Sequence, residues 1–189
     1  MLLKTSRLRA IINNVARVPD LKNQNRMLWN KEMISDGLEY LNKSAGGNRV
    51  SEYHLRAGIC AYHSLAKDYE STDWEKIISL YDQYLEIHDS LDIAFERVDI
   101  IFESEGPVAG IDALVELDPK DGSDRSKIVN SKLAELYIKH NQYSNAIDHL
   151  STSQELSDSK NERDIYLNRI EFCKRQISLT KKYEQLLSF

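Results

Sequence analysis

Leu133-Ala134-Glu135-Leu136-Tyr137-Ile138-Lys139-His140-Asn141-Gln142-Tyr143-Ser144-Asn145-Ala146-Ile147-Asp148-His149-Leu150 is the stretch that decides the fold. Apolar residues recur at helical spacing on both sides of Asn141, a residue suited to a turn. Ala134 and Ala146 are small residues placed one on each side, so two antiparallel helices can approach closely across them. Leu133, Tyr137, Ile147 and Leu150 then fill the groove between those helices.

The same pattern returns upstream. Aligning Ile77-Ile78-Ser79-Leu80-Tyr81, Gly110-Ile111-Asp112-Ala113-Leu114 and Ala146-Ile147-Asp148-His149-Leu150 separates Ile78, Ile111 and Ile147 by 33 and 36 residues. A tetratricopeptide (TPR) unit has a period of about 34 residues. The last copy is the fullest, and the first two are degenerate: Ile77 replaces the small residue, and the helix after Pro107 is short. The expected architecture is all-α, a right-handed α-α superhelix of TPR-like helix pairs with a concave face. An irregular or extended lead-in over residues 1–22 precedes a helical domain over 23–189.

Working outward, Ala10 to Val18 reads as extended, interrupted by the turn dipeptide Asn13-Asn14. Helices are expected from about Asn25 to Leu41, from Ser51 to Ala66, from Thr72 to Leu85, and from Ser90 to Ser104. In the first, Trp29, Met33, Ile34, Leu38 and Leu41 share a face. Thr72 with Glu75 and Ser159 with Glu162 read as capping boxes. Gly106-Pro107 is the sharpest punctuation, a left-handed stop followed by a residue suited to the first helical position. Further helices run from Pro107 to Leu117, Arg125 to His140, Tyr143 to Leu156, and from Lys160 onward with Ile165, Ile170, Cys173 and Ile177 buried.

Composition narrows the function. The chain has 189 residues and a formal charge of −5, against a free-standing nucleic-acid binder. Lys4, Arg7, Arg9, Arg17, Lys22, Arg26 and Lys31 make the start locally basic, which reads as a solvated or inter-domain surface. Cys60 and Cys173 have neither metal nor disulfide spacing. No signal-peptide or membrane-spanning run is present, so a reduced, cytoplasmic protein is expected.

Chemistry is sparse. Cys60 and His63, with His54 earlier, could hold a soft metal, but no second pair has ligand spacing. Cys60 could pair with His88 or His149 as nucleophile and base, but no oxyanion-hole loop accompanies them. Gly46-Gly47 lacks the Lys-Ser/Thr of a phosphate loop. No cofactor, metal or catalytic residue is expected. Trp29 and Trp74 read as core anchors, and the tyrosines as staples between helices.

Four ordered blocks carry a resemblance. Asn23-Gln24-Asn25-Arg26 leads through Leu28-Trp29-Asn30 to Ile34. Glu52-Tyr53-His54-Leu55-Arg56-Ala57-Gly58-Ile59 follows and ends at His63-Ser64-Leu65-Ala66. Then come Thr72-Asp73-Trp74 with Leu80-Tyr81-Asp82, and Glu105-Gly106-Pro107-Val108-Ala109-Gly110. This order resembles the helical C-terminal extension of bacterial extracytoplasmic-function (ECF) sigma factors. Asn23 and Asn25 stand where the family block has Asp, and Glu96-Arg97 where it has Asn-Arg.

The resemblance implies a non-enzymatic regulatory domain. It would tune transcription initiation through contacts with the sigma factor's own domains, RNA polymerase or a partner protein, without touching DNA or membrane itself. Met1-Leu2-Leu3 with Ser6-Arg7 looks like the end of an entering helix, hence part of a longer polypeptide. Arg26, Trp29, Tyr53, Arg56, Trp74 and Arg97 are the candidates for docking or packing. The alternative is a stand-alone TPR-like peptide-binding adaptor. A small enzyme built on Cys60 is the rival of a different class.

Overall fold

The computed structural model describes residues 1–12, 21–46 and 50–187. Every regular element among them is helical, so the protein is all-α. The elements are α1 (Leu2–Thr5), α2 (Leu8–Ile12), two 3₁₀ turns (Leu21–Asn23, Arg26–Leu28), α3 (Lys31–Ser44), α4 (Glu52–Leu65), α5 (Trp74–Ile87), α6 (Leu91–Ser104), α7 (Pro107–Val115), α8 (Asp124–Lys139), α9 (Tyr143–Glu155) and α10 (Lys160–Leu187). Contacts divide the chain into two compact units, Met1–Ile100 and Ile101–Phe189, with the boundary inside α6. None of the described helices is long and apolar enough to cross a membrane.

In the first unit the lead-in is more helical than its sequence suggests. Leu3, Ser6 and Ala10 are buried at helical spacing. The Ser6 carbonyl also accepts the Asn30 N–H at 2.9 Å, which joins the lead-in to the start of α3. Ala10 therefore lies in α2 rather than in an extended strand; residues 13–18 of that expected stretch lie outside the described residues. α1 packs on α3 and α4. The approach is close enough that a Cβ on Gly37 would sit 2.8 Å from Leu3 Cγ.

The helix expected from Asn25 is two pieces. Asn25 Oδ1 accepts the Met27 N–H at 3.0 Å, and Asn30 Oδ1 accepts the Met33 N–H at 3.0 Å. Two asparagines in succession act as caps, so Arg26–Leu28 forms a separate 3₁₀ turn and α3 starts at Lys31. At α5 the cap is Asp73, whose carboxylate accepts the Lys76 N–H at 3.1 Å. The Thr72 hydroxyl instead donates to the Asp68 carbonyl at 3.3 Å, so the expected Thr72 box does not form. The core of this unit joins Leu55 and Ile59 of α4 to Ile77, Tyr81 and Tyr84 of α5 and Ile93 of α6.

In the second unit, Gly106 takes φ 101° and Pro107 opens α7 behind it. Gly110 lets α7 lie against Phe102, since a Cβ there would stand 2.5 Å from Phe102 Cβ. α7 packs on α8, α8 on α9, and α9 on α10. Ala134 and Ala146 are fully buried in one cluster with Leu150, Ile170 and Cys173. Asn141 takes the left-handed conformation, φ 60°, between α8 and α9.

Ser159 caps α10 through the Glu162 N–H at 3.3 Å, but the Glu162 carboxylate accepts from Lys127 at 3.4 Å instead of closing the box. Ile165, expected inside, is 58% exposed. The face of α10 that meets α9 is set by Tyr166, Ile170 and Cys173, and Ile165 falls on another side of the cylinder.

Candidate functional site

Three of the four sequence blocks meet at one place in the first unit. The 3₁₀ turn brings Arg26 to the C-terminal end of α4. Its Nη1 donates to the His63 carbonyl at 2.8 Å and to the Ala66 carbonyl at 2.7 Å. These carbonyls lie in the last turn of α4, where intrahelical donors run out, and a guanidinium both satisfies them and complements the helix dipole. Arg26 also lies over the Trp29 ring, 4.6 Å from its centroid. The His63 ring meets Trp74 edge-on at 5.7 Å, and Tyr69 meets Trp74 at 4.9 Å.

Arg7, from the turn between α1 and α2, joins the same cluster and lies 5.7 Å from the Trp29 centroid. The sequence puts its charge in a basic run that reads as a solvated or inter-domain surface. Burial lowers the Arg7 pKa, with a partial offset from Cys60. Burial also lowers that of Arg26, with Asp68 opposing and Arg7 reinforcing the shift. His63 is 7% exposed. Burial, then the charges of Arg7 and Arg26, pushes its imidazole down to about 4 from an ordinary 6.5. It is a neutral buried ring.

The polar inventory of this cluster is incomplete. Trp29 is 5% exposed. Its Nε1, like Arg26 Nη2 and His63 Nδ1, has no hydrogen-bond partner among the described residues. Neither Arg7 nor Arg26 forms an ion pair among the described residues. Asp68, the carboxylate that acts most on Arg26, has its Oδ1 held by the Ser71 N–H at 2.8 Å.

The remaining candidates are dispersed over α4, α5 and α6. Tyr53 is 74% exposed and borders an open groove of about 640 Å³ between α1, α3 and α4, with Tyr40 and Leu41. Arg56 lies 5.6 Å from the Tyr84 ring centroid, and the Tyr84 hydroxyl reaches Glu52 Oε2 at 3.5 Å. Arg97 Nε donates to Asp82 Oδ1 at 2.6 Å, bracing α6 on α5. Beside it the buried Tyr81 hydroxyl donates to Glu96 Oε2 at 3.2 Å. Burial and then Glu96 push that phenol above its ordinary range. The structure thus brings Arg26, Trp29 and Trp74 together and leaves Tyr53, Arg56 and Arg97 apart from them.

The groups weighed for metal or nucleophile chemistry have other attachments. His54 Nδ1 accepts the Ser51 N–H at 3.2 Å, which leaves Nε2 to donate to the Ser44 carbonyl at 3.2 Å. His149 Nδ1 lies 2.8 Å from Asn130 Oδ1. Asn130 Nδ2 donates to Asp118 Oδ2 and to the Ser126 carbonyl, both at 2.9 Å. The amide orientation therefore makes His149 Nδ1 the protonated nitrogen. Cys60 is half-buried and Cys173 buried, and both are free thiols. Among the described residues no group of three or more His, Cys, Asp or Glu side chains is arranged to hold a metal ion.

Arg7 and His63 are the members of the cluster that sequence reasoning missed. Arg7 was one of seven charges in a basic run, and nothing local marks it as the one that packs on an indole. The signal that could have found His63 is its position eight residues after Leu55 and four after Ile59, on the buried stripe of α4.

No family model matches the chain, and no solved structure matches it significantly. It is similar to an uncharacterized protein of Rhizobium meliloti (strain 1021), with 34% identity over 116 residues. The match covers 61% of this chain but 27% of that protein, so most of the relative's length lies outside it.

Proposed function

We propose that this chain is a regulatory helical domain of the kind appended to ECF sigma factors, acting by protein–protein contact to tune transcription initiation in the cytoplasm. One observation carries the reading. Three of the four ordered blocks behind the resemblance form a single cluster: Arg26 and Trp29 from the first, the His63 and Ala66 carbonyls from the second, Trp74 from the third. Their order and spacing have a common physical cause, closure of the 3₁₀ turn onto α4 and α5.

Two further facts lend support. The α8–α9 pair has the small-residue crossing at Ala134 and Ala146 and the left-handed turn at Asn141, as a TPR-like unit requires. The Rhizobium meliloti relative is several times longer than the matching segment, so a similar segment occurs there within a larger polypeptide. In this reading the working partners are sigma-factor domains or RNA polymerase, engaged through rigid aromatic and arginine anchors.

The groove beside Tyr40 and Tyr53 favours a second reading, a stand-alone peptide-binding adaptor. Immunoprecipitation from native host lysate separates the two. The sigma-factor reading expects the chain in a species well above 21.8 kDa, together with core RNA polymerase subunits. A 21.8 kDa species without polymerase subunits would overturn it and leave the adaptor.

A further inference from the structure

The geometry points to an oxyanion-binding site at the Arg7–Arg26–Trp29–His63 cluster, taking a phosphate-class anion or a carboxylate. The inference does not depend on the sigma-factor reading.

Four observations converge on it. Two guanidinium groups flank one indole, at 5.7 and 4.6 Å from its centroid, without an ion pair among the described residues. The Arg7 guanidinium makes no hydrogen bond among the described residues, and Arg26 spends Nη1 on two carbonyls while Nη2 is without a partner among them. Trp29 Nε1, a donor that cannot accept, is buried and unpartnered. His63 Nδ1 is buried and unpartnered, in a ring that feels both arginines.

The cluster is therefore rich in donors and positive charge, with three buried nitrogens left without an acceptor among the described residues. Buried polar groups in native proteins nearly all have a partner, and those that do not point to an ordered water or ion. Asp68 and Glu70 act on Arg26 without pairing with it among the described residues; two like charges held together without an ion pair are costly, and the cost falls when an anion enters. Chloride could offset charge, but an oxyanion also offers several oxygens to forked guanidinium donors, which suit carboxylate and phosphate geometry. Trp29 Nε1–H supplies a neutral donor. His63 supplies another in its Nδ1–H tautomer, which the anion itself would favour. Arg7 and Arg26 are half-buried rather than sealed, so an ion can enter from their side.

The test uses the full chain titrated with sodium phosphate, and separately with sodium acetate, against sodium chloride at constant ionic strength. Two indole N–H resonances are available, and Trp74→Phe assigns the one from Trp29. Phosphate binding predicts a saturable shift of the Trp29 indole resonance and a melting-temperature rise of about 5 °C near saturation. Acetate producing the same response assigns carboxylates as well; phosphate alone assigns the phosphate class. Arg7→Gln should weaken the apparent affinity by about tenfold or more, because it removes one charged fork. Without added oxyanion, Arg7→Gln should fold and melt at or above the wild-type temperature, since it relieves the repulsion on Arg26 and His63. Responses to phosphate and acetate no larger than to chloride would overturn the site. So would a saturable response unchanged in a folded Arg7→Gln protein.

Discussion

The two units differ in how far their buried polar groups are bonded, although Ser6 and Thr72 of the first unit are bonded too. In the second, Asn130, Ser153, Ser157 and Lys127 are buried, and each is bonded. Asn130 links Asp118 to His149, and Ser153 Oγ donates to the Lys127 and His149 carbonyls at 3.1 Å. Ser157 Oγ donates to the Ser153 carbonyl at 2.7 Å, and Lys127 joins Asp124 and Glu162. In the first unit, Trp29, His63 and Arg26 each bury a nitrogen with no hydrogen-bond partner among the described residues. A closed network ties helices to one another and is finished on folding. An open one holds donors in reserve, and folding alone gives no reason to keep them.

The largest effect expected on this contrast comes from the apolar core. Leu150→Ala removes a fully buried side chain at the α8–α9–α10 junction and should cost about 2–5 kcal/mol in urea unfolding. If that loss unfolds both units in one transition, the units are thermodynamically coupled. Two separate transitions would make the comparison between them sharper.

Next is acid. The folded pKa of His63 is about 4 and its ordinary value is 6.5. The unfolded chain therefore takes up a proton at this ring as pH falls below 6.5, while the folded chain takes it up only near 4. The stability present above pH 6.5 is lost across that window, by about 3 kcal/mol for this group. His63→Leu should remove this part of the slope in the difference between the two pH–stability curves. A difference curve that is flat from pH 6.5 to 4 would show that the first unit does not hold His63 neutral.

Breaking the closed network should cost somewhat less. Asn130→Leu leaves Asp118 and His149 without their bridging amide, for about 1–3 kcal/mol by chemical denaturation. The first unit offers the opposite case in His63, whose Nδ1 has no hydrogen bond to lose among the described residues. The smallest effect belongs to Arg97→Ala, at about 0.2–1 kcal/mol, because the Arg97–Asp82 pair is partly solvated. A loss there as large as that at Asn130 would mean that exposed pairing in the first unit does the work of the buried network in the second.

The second unit was the more legible. Ala134, Ala146 and Leu150 lie where their spacing puts them, because a helical stripe facing two neighbours leaves a regular apolar record. Gly106-Pro107 and Ser51 were legible as helix starts for the same local reason: special backbone geometry or a cap. Legibility failed where the deciding contact was distant. Arg7 and Trp29 are 22 positions apart, and no local rule separates an arginine that packs on an indole from one that points to water. Thr72 lost the cap of α5 to Asp73 because its hydroxyl was taken by a neighbouring turn. Two adjacent residues of similar capping propensity cannot be ranked without that turn. The ordered blocks were visible as a resemblance, but their meeting around Arg26 required the fold.

The last helix has a consequence in time rather than in binding. α10 has 28 residues and extends about 42 Å, whereas α9 beside it has 13 and about 20 Å. Beyond Ile177 every described residue of α10 is exposed. Ten residues without a packed face are too few to hold a helix in water on their own. Amide hydrogens should therefore exchange along α10 as a gradient: slowly from Tyr166 to Ile177, at the pace of opening of the whole unit, and quickly from Ser178 onward. One continuous helix would keep two clocks, and the change of rate would mark where packing by its neighbour ends.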